Sequence, residues 1–253
     1  MKNVQELRIS IQKGMIIVKT YQIHLIRHGL TDGNTQGRYI GRTDLPLSGE
    51  GIRELKNLAE KYEYPRTELY YTSPMLRCIQ TMNLLYPGTD CFEVPGLREV
   101  DFGKWEGKTA QELSDDPLFR QWLEEGGTAA PPEGESARDF SQRVCASFEN
   151  IVDNMMRTGI TSAVIVTHGG VMMTILAAYG LPRANFYDWL TGNGRGYSLR
   201  ASPNLWMSGR VVEVYDTIPE GLPPAEEDDQ RLIIDLGREA ANRAYGHEGI
   251  PEE

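Results

Sequence analysis

Cysteine is scarce: Cys78, Cys91 and Cys145 are the three in 253 residues, and none stands in a C-x-x-C pair. Such an odd, scattered set supports neither a disulfide framework nor a zinc knuckle, and the three read as buried free thiols. No apolar run approaches the roughly 18 residues that a membrane-spanning helix requires, and the first residues lack the long apolar stretch of a secretory signal. The chain is therefore expected to be soluble and cytoplasmic, with no membrane partner. Excess basic charge is missing too. A formal net charge of −10 is the opposite of the footprint a nucleic-acid partner demands, so none is expected. The negative excess is local: from Glu220 to Glu253, ten acidic residues face only Arg231, Arg238 and Arg243. An anionic ligand would thus meet little repulsion from the rest of the chain.

What is present is an alternation of strand-like and helix-like segments from Tyr21 onward. With 40% hydrophobic residues in 253, one large core is the expectation. The fold class expected is α/β, with a mainly parallel sheet between helices. Residues 1–20 read as an N-terminal extension, 21–217 as the domain, and 218–253 as an acidic C-terminal extension. Within that extension, Arg231–Leu236 is amphipathic enough to dock as a helix on its own domain. The first strand is Tyr21–Ile26. Ser48 caps a helix carrying Ile52, Leu55, Leu58 and Tyr62, which Pro65 ends. Leu69–Thr72 reads as a strand, and Ser73-Pro74 as the N-cap and first residue of a helix. The stretch 87–132 is irregular, rich in glycine, proline and acid, and expected to cover a site. Ser136 and Asp139 suggest a capping box before the helical face Phe140, Val144, Phe148, Ile151 and Met155. Ala163–Val166 is a continuous apolar strand, followed by a helix that Gly180 and Pro182 stop. Leu199 and Val211–Tyr215 suggest late strands paired through a turn near Ser208-Gly209.

Chemistry concentrates where strands end. The apolar run of the first strand stops at Arg27-His28-Gly29, an order that puts a forked cation beside an imidazole able to attack a phosphoryl group. Arg77 follows the second strand, and His168 ends the third. In a parallel sheet these junctions share one edge, where ligands bind and helix N-termini add N–H donors for an anion. His28 alone would read as a structural histidine; with Arg27 beside it and the companions below, it reads as a nucleophile.

These residues carry a resemblance. Leu25–Asn34 resembles the Arg-His-Gly signature of the histidine phosphatase superfamily, also called phosphoglycerate mutase-like. Gly41–Ser48 is similar to its G-x-x-D-x-P-L-S stretch, Ser73–Thr81 to its S-P-x-x-R-x-x-Q-T, and Leu97-Arg98-Glu99 with Phe102–Gly107 to its acid-bearing segment. Thr167–Gly170 completes five ordered motifs spread over about residues 21 to 215. The resemblance implies a three-layer sandwich and a metal-independent phosphomonoester hydrolase with no cofactor. By the same resemblance His28 forms a phosphohistidine, Arg27, Arg77 and His168 hold the phosphoryl oxygens, and Glu99 serves as acid and then base. Asn34, Ile40, Gly41 and the backbone of Gly169 match positions that line the phosphate pocket. The partner implied is a small phosphorylated metabolite, and a homo-oligomer stays open. Leu30 departs from the pattern, standing where most members carry Glu or Gln. His168-Gly169-Gly170 and Trp105-Glu106-Gly107 look like the phosphatase branch, which includes α-ribazole phosphatases and broad-specificity enzymes. The alternatives are an α-ribazole phosphatase, a phosphoglycerate mutase, or a phosphate-binding regulatory protein that has lost turnover.

Other residues have rival readings. Asp101 and Glu106 compete with Glu99 for the acid role, and only the resemblance selects Glu99. His24, four residues before His28, would pair with it on a helix, but in a strand it reads as packed or hydrogen-bonded. Arg38 and Arg42 attract phosphate or are simply solvated. Trp105, Phe102 and Tyr39 line a leaving-group pocket or belong to the core. The glycine-rich Gly192–Tyr197 reads as a plain loop or as one that touches substrate.

Overall fold

The computed structural model describes residues 19–223; the extension before residue 19 and the acidic stretch after 223, Arg231–Leu236 included, lie outside the described residues. In chain order the elements are β1 (Tyr21–Arg27), α1 (Asp32–Thr35), α2 (Gly49–Lys61), β2 (Leu69–Thr72), α3 (Leu76–Leu85), β3 (Phe92–Glu93) and α4 (Pro117–Glu124). Then come α5 (Ala137–Thr158), β4 (Ser162–Thr167), α6 (Gly169–Tyr179), β5 (Gly180–Leu181), β6 (Gly196–Ala201), α7 (Pro203–Gly209) and β7 (Val212–Ile218). The strands form one seven-stranded sheet in the order β3-β2-β4-β1-β6-β7-β5. Among the described strands, only β6 runs against its neighbours β1 and β7; the other strand pairs are parallel.

Alternation along the central strands decides the layers. Ile23, Leu25, Ala163 and Ile165 face one side, where Val144, Phe148, Val152 and Met155 of α5 meet Met172, Ile175 and Leu176 of α6 and Trp206 of α7. Ile26, Val164 and Val166 face the other side, against Leu55 of α2 and Cys78, Met82 and Leu85 of α3. Because both faces are covered, β4 needs apolar residues at successive positions, which is why Ala163–Val166 reads as a continuous run, and in β1 even His24 is buried. Each fully buried aliphatic here contributes about 1.5–3 kcal/mol. The result is the three-layer α/β sandwich expected. A third cluster, Trp105, Leu113 and Phe119, forms a small lobe within the irregular middle segment. Tyr39 and Phe102 pack against it, which gives these aromatics a place in the core.

Several local expectations change. Ser48 caps α2 as expected, its hydroxyl accepting from Gly51 N–H. Ser73 is not a cap: its N–H still pairs with Val166 O at 2.9 Å, extending the sheet by one residue, and α3 begins only at Leu76. Asp44 supplies the cap instead, its Oδ1 accepting from Leu76 N–H at 2.7 Å. At α5 the Ser136 hydroxyl caps Asp139 N–H, but the Asp139 carboxylate turns back to that hydroxyl. β6 and β7 do pair, yet α7 connects them rather than a turn at Ser208-Gly209. Of the three thiols only Cys78 is buried; Cys91 and Cys145 are half-buried. Among the described residues no helix is long and apolar enough to cross a membrane.

Candidate active site

The parallel strands β1, β2 and β4 end side by side, and their next residues converge. His28 N–H continues the β1–β4 ladder by bonding Thr167 O at 2.9 Å, so His28 and His168 leave adjacent strands at one level. Their rings meet edge to face, with centroids 5.2 Å apart and planes at 65°. Behind them Gly29 is wedged between helices: its N–H donates to Thr81 Oγ1 at 2.9 Å, and an added Cβ would overlap Leu55.

His28 Nδ1 lies 2.7 Å from the Gly29 carbonyl. A carbonyl only accepts, so Nδ1 carries the proton and Nε2 keeps its lone pair. Burial pushes the imidazole well below its ordinary pKa of 6.5, Arg77 and Arg27 push the same way, and the Gly29 carbonyl opposes them. His28 is therefore a neutral base with one fixed tautomer. Leu30, the departure from the family pattern, is not needed for this orientation. Its carbonyl instead accepts from Ser48 N–H at 3.0 Å, joining the loop to the start of α2.

The two arginines differ in how they are held. Arg77 donates through Nε to His168 Nδ1 (3.2 Å), through Nη1 to Thr43 O (2.9 Å) and through Nη2 to Gly41 O (2.8 Å). A guanidinium has five N–H groups, so two remain for another acceptor. Arg27 donates through Nη1 to Thr191 O at 2.6 Å, while its buried Nε has no partner among the described residues. A buried unpaired donor costs about 1–3 kcal/mol, which an anionic ligand would recover. The Cα of Gly169, at the start of α6, lies close by: a Cβ there would sit 3.3 Å from Arg27 Nε.

Both nitrogens of His168 are occupied. Nδ1 receives the Arg77 bond, and Nε2 lies 2.8 Å from Ser73 Oγ. Cys78 Sγ sits 3.5 Å from Nε2. Burial, then Arg77, His28, Arg27 and Arg143, hold this histidine well below 6.5, so it too is neutral. Its bond to Arg77 helps align that guanidinium at the sheet edge.

Glu99 separates from its rivals here. Its Oε2 accepts from Gly170 N–H at 3.0 Å and its Oε1 from Val100 N–H at 3.0 Å. Burial raises its pKa above the carboxylate norm, against the pull of those two N–H groups and of Arg77 and Arg27. Arg143 of α5 fixes the backbone beneath it, bonding the carbonyls of Gly96, Arg98 and Glu99. Asp101 instead accepts from Gly103 N–H, and Glu106 is consumed by the 41–43 loop.

The remaining expected residues fall into two groups. Gly41 enters only indirectly, since its N–H goes to Glu106 at 3.0 Å and its carbonyl to Arg77. Asn34 spends its amide oxygen on Thr31 N–H (3.1 Å) and Oγ1 (2.9 Å) in a capping box, and Ile40 packs over Gly33. Arg38 pairs with Glu112 at 3.0 Å and bonds Gly107 O. His24 is buried with Nδ1 2.9 Å from Ser198 Oγ, as a hydrogen-bonded strand residue.

Two residues escaped the sequence reading as site residues, and two more lie in the glycine-rich loop it singled out. Ser73 bonds His168, Thr191 anchors Arg27, and Gly194 N–H donates to Arg27 O at 3.0 Å. Asn193 Nδ2 adds a bond to His28 O at 2.9 Å. The glycine run 192–196 was the signal for the last two: Gly194 has φ +72°, and an added Cβ at Gly196 would overlap Leu25 O, so glycines let this loop lie flat on β1.

An α/β sandwich that gathers two arginines, a tautomer-fixed histidine and a raised carboxyl at the carboxyl ends of parallel strands defines a phosphate-handling protein of the doubly covered class. The family is equally plain. The profile described as histidine phosphatase superfamily (branch 1) matches residues 23–213, and the chain belongs to that family. Among its relatives, the adenosylcobalamin/alpha-ribazole phosphatase of Salmonella typhimurium is 28% identical over 178 residues, covering 68% of this chain and 87% of that one. The solved alpha-ribazole phosphatase of Shigella flexneri superposes with a TM-score of 0.66 at 24% identity, over 81% of this chain and 100% of that one, which speaks for the fold. A phosphoglycerate mutase structure from Thermus thermophilus gives a TM-score of 0.54 at 31% identity, over 76% of this chain and 95% of that one.

Proposed function

We propose that this chain hydrolyses phosphomonoesters of small metabolites through a phosphohistidine on His28. The observation that carries the reading is the His28 Nε2 lone pair, left free by the Nδ1 bond to Gly29, on an imidazole that feels the charges of Arg77 and Arg27, both of which keep N–H groups uncommitted. In the first step Nε2 bonds phosphorus while the ester P–O bond breaks, and the leaving oxygen takes the Glu99 proton. In the second, Glu99 accepts a proton from water, the water oxygen bonds phosphorus, and the P–N bond breaks to release inorganic phosphate. Arg27 and Arg77 neutralise charge on the equatorial oxygens, a contribution for which loss of one comparable donor costs about 10²- to 10³-fold. Gly169, opening α6 beside Arg27, adds the positive end of a helix dipole.

The test is a screen of phosphorylated metabolites for phosphate release, run beside His28→Ala. An acid-labile phosphoryl adduct trapped on the parent chain and absent from the variant supports the reading. A fully active His28→Ala sinks it. Interconversion of 3-phosphoglycerate exceeding phosphate release would move the chain to mutase chemistry, and tight phosphate binding without any turnover would make it a regulatory binder.

A further inference from the structure

Glu106 stands outside the cluster around His28, yet its carboxylate gathers one side of the 41–43 loop. Oε1 accepts from the N–H groups of Gly41 (3.0 Å), Arg42 (2.8 Å) and Phe102 (3.1 Å), and Oε2 from Thr43 N–H (3.1 Å) and Thr43 Oγ1 (2.5 Å). On the other side of the loop, the carbonyls of Gly41 and Thr43 accept from Arg77 Nη2 and Nη1 at 2.8 and 2.9 Å. The Gly41 carbonyl and the Arg42 N–H belong to one peptide unit. That unit therefore lies between a carboxylate and a guanidinium, its N–H toward the anion and its oxygen toward the cation.

Peptide planarity keeps those two groups on opposite sides of the unit, so a rotation that breaks one contact breaks the other. Each charge also polarises the peptide in the sense that strengthens the opposite bond. Space leaves the loop little alternative: an added Cβ at Gly41 would overlap the Val100 carbonyl oxygen, so its backbone lies flat on the segment carrying both Glu99 and Glu106. We propose that Glu106 is a positioning residue for phosphoryl transfer, clamping the loop whose carbonyls aim Arg77 at the phosphoryl group. Because the same short segment carries Glu99, the clamp also fixes the acid and the cation in one frame. Glu106 does not exchange protons in this role. Burial works to raise its pKa, but the Thr43 hydroxyl and the N–H groups of Arg42, Phe102 and Thr43 outweigh that and hold it below the carboxylate norm.

The inference rests on the proposed function, and its test separates the two. Glu106→Gln keeps the volume but puts an amide N–H₂ against N–H donors, so the loop must shift. Misplacement of a catalytic group by about 1 Å costs about 10²-fold, and a loss of that size in kcat is expected with phosphoryl transfer still on His28. Affinity for inorganic phosphate, measured by calorimetry, is expected to weaken in parallel. The deciding measurement is the double-mutant cycle with Arg77→Lys. If Glu106 acts through Arg77, the double variant is no worse than Arg77→Lys alone; losses that multiply, or a Glu106→Gln chain with parental kcat/KM and phosphate affinity, overturn the proposal. Should Glu106→Gln fail to give a cooperative thermal transition, Thr43→Val removes only the hydroxyl bond and enters the same cycle. A parent chain forming no His28 adduct would sink the function alone, because the phosphate-affinity cycle reads the Glu106–Arg77 coupling without turnover.

Discussion

His28 and His168, 140 residues apart in sequence, stand edge to face with ring centroids 5.2 Å apart, and both are held neutral by burial and by the arginines beside them. Protonation of His28 would consume the lone pair that attacks phosphorus. Since its pKa lies well below 6.5, the nucleophile survives mild acid rather than titrating away near neutrality. A histidine-selective NMR titration, assigned with a His28→Asn variant, should show no His28 midpoint near 6.5. Arg77 is one cause of the depression, so Arg77→Met should raise the midpoint. A midpoint at the ordinary value in the parent chain would contradict the environment described.

Glu99 is shifted in the opposite sense, upward by burial. As the acid it must be protonated when the ester bond breaks, so kcat on alkyl phosphates should fall as pH rises through that raised value. Glu99→Gln should lose this alkaline limb together with most turnover on alkyl phosphates. On p-nitrophenyl phosphate, whose leaving phenolate needs little protonation, the loss should be much smaller. Equal losses on both substrates would assign the proton to another group.

How far the sequence reached depends on which forces set each residue. Arg27, His28, Arg77 and His168 were legible because each ends a strand or opens the helix after it, and a parallel sheet brings such junctions to one edge. The mainly parallel sheet was legible from the alternation of strand-like and helix-like segments and from the continuous apolar run of β4, whereas the three layers came from the family resemblance. Ser73 misled because local spacing favoured a helix cap, whereas the pairing of its N–H with Val166 O kept it in the sheet and freed its hydroxyl for His168. Glu106 and Gly41 were seen as site candidates, but their work depends on bonds across 65 residues of chain that no local pattern encodes. Thr191 escaped for the same reason: it serves Arg27 through a backbone carbonyl, which any residue type provides.

Two adjacent glycines offer a geometric test of the acid's placement. A Cβ on Gly170 would stand 2.5 Å from Glu99 Oε1, whereas one on Gly169 would meet nothing closer than Arg27 Nε at 3.3 Å. Gly170→Ala should therefore displace the Glu99 carboxylate and reproduce the leaving-group dependence of Glu99→Gln. Both sites are helical, so each alanine adds a small propensity gain of about 1 kcal/mol that does not distinguish them. Gly169→Ala should act instead on the arginine, weakening phosphate affinity with little change in leaving-group dependence. Identical profiles for the two variants would show that the acid is not held where Gly170 N–H meets it.

Acid stability should carry the mark of His24. This residue is only 6% exposed on β1, beside Ser198 and a cavity of about 700 Å³ on the α2–α3 side, and burial pulls its pKa from 6.5 to about 4. Above pH 6.5 the imidazole is neutral in both folded and unfolded chains and contributes no pH dependence. Between 6.5 and about 4 the unfolded chain binds the proton and the folded chain does not, so stability falls as pH falls across this window. At about 1.4 kcal/mol per unit, the full loss is on the order of 3 kcal/mol. His28 and His168 slope the same way, so the parent's curve alone does not isolate His24. The difference between the parent and His24→Gln does, because glutamine cannot titrate: urea unfolding at pH 7, 5.5 and 4.5 should show the parent losing stability faster than the variant. A difference that stays constant over those three pH values would mean that His24 is not buried in its neutral form.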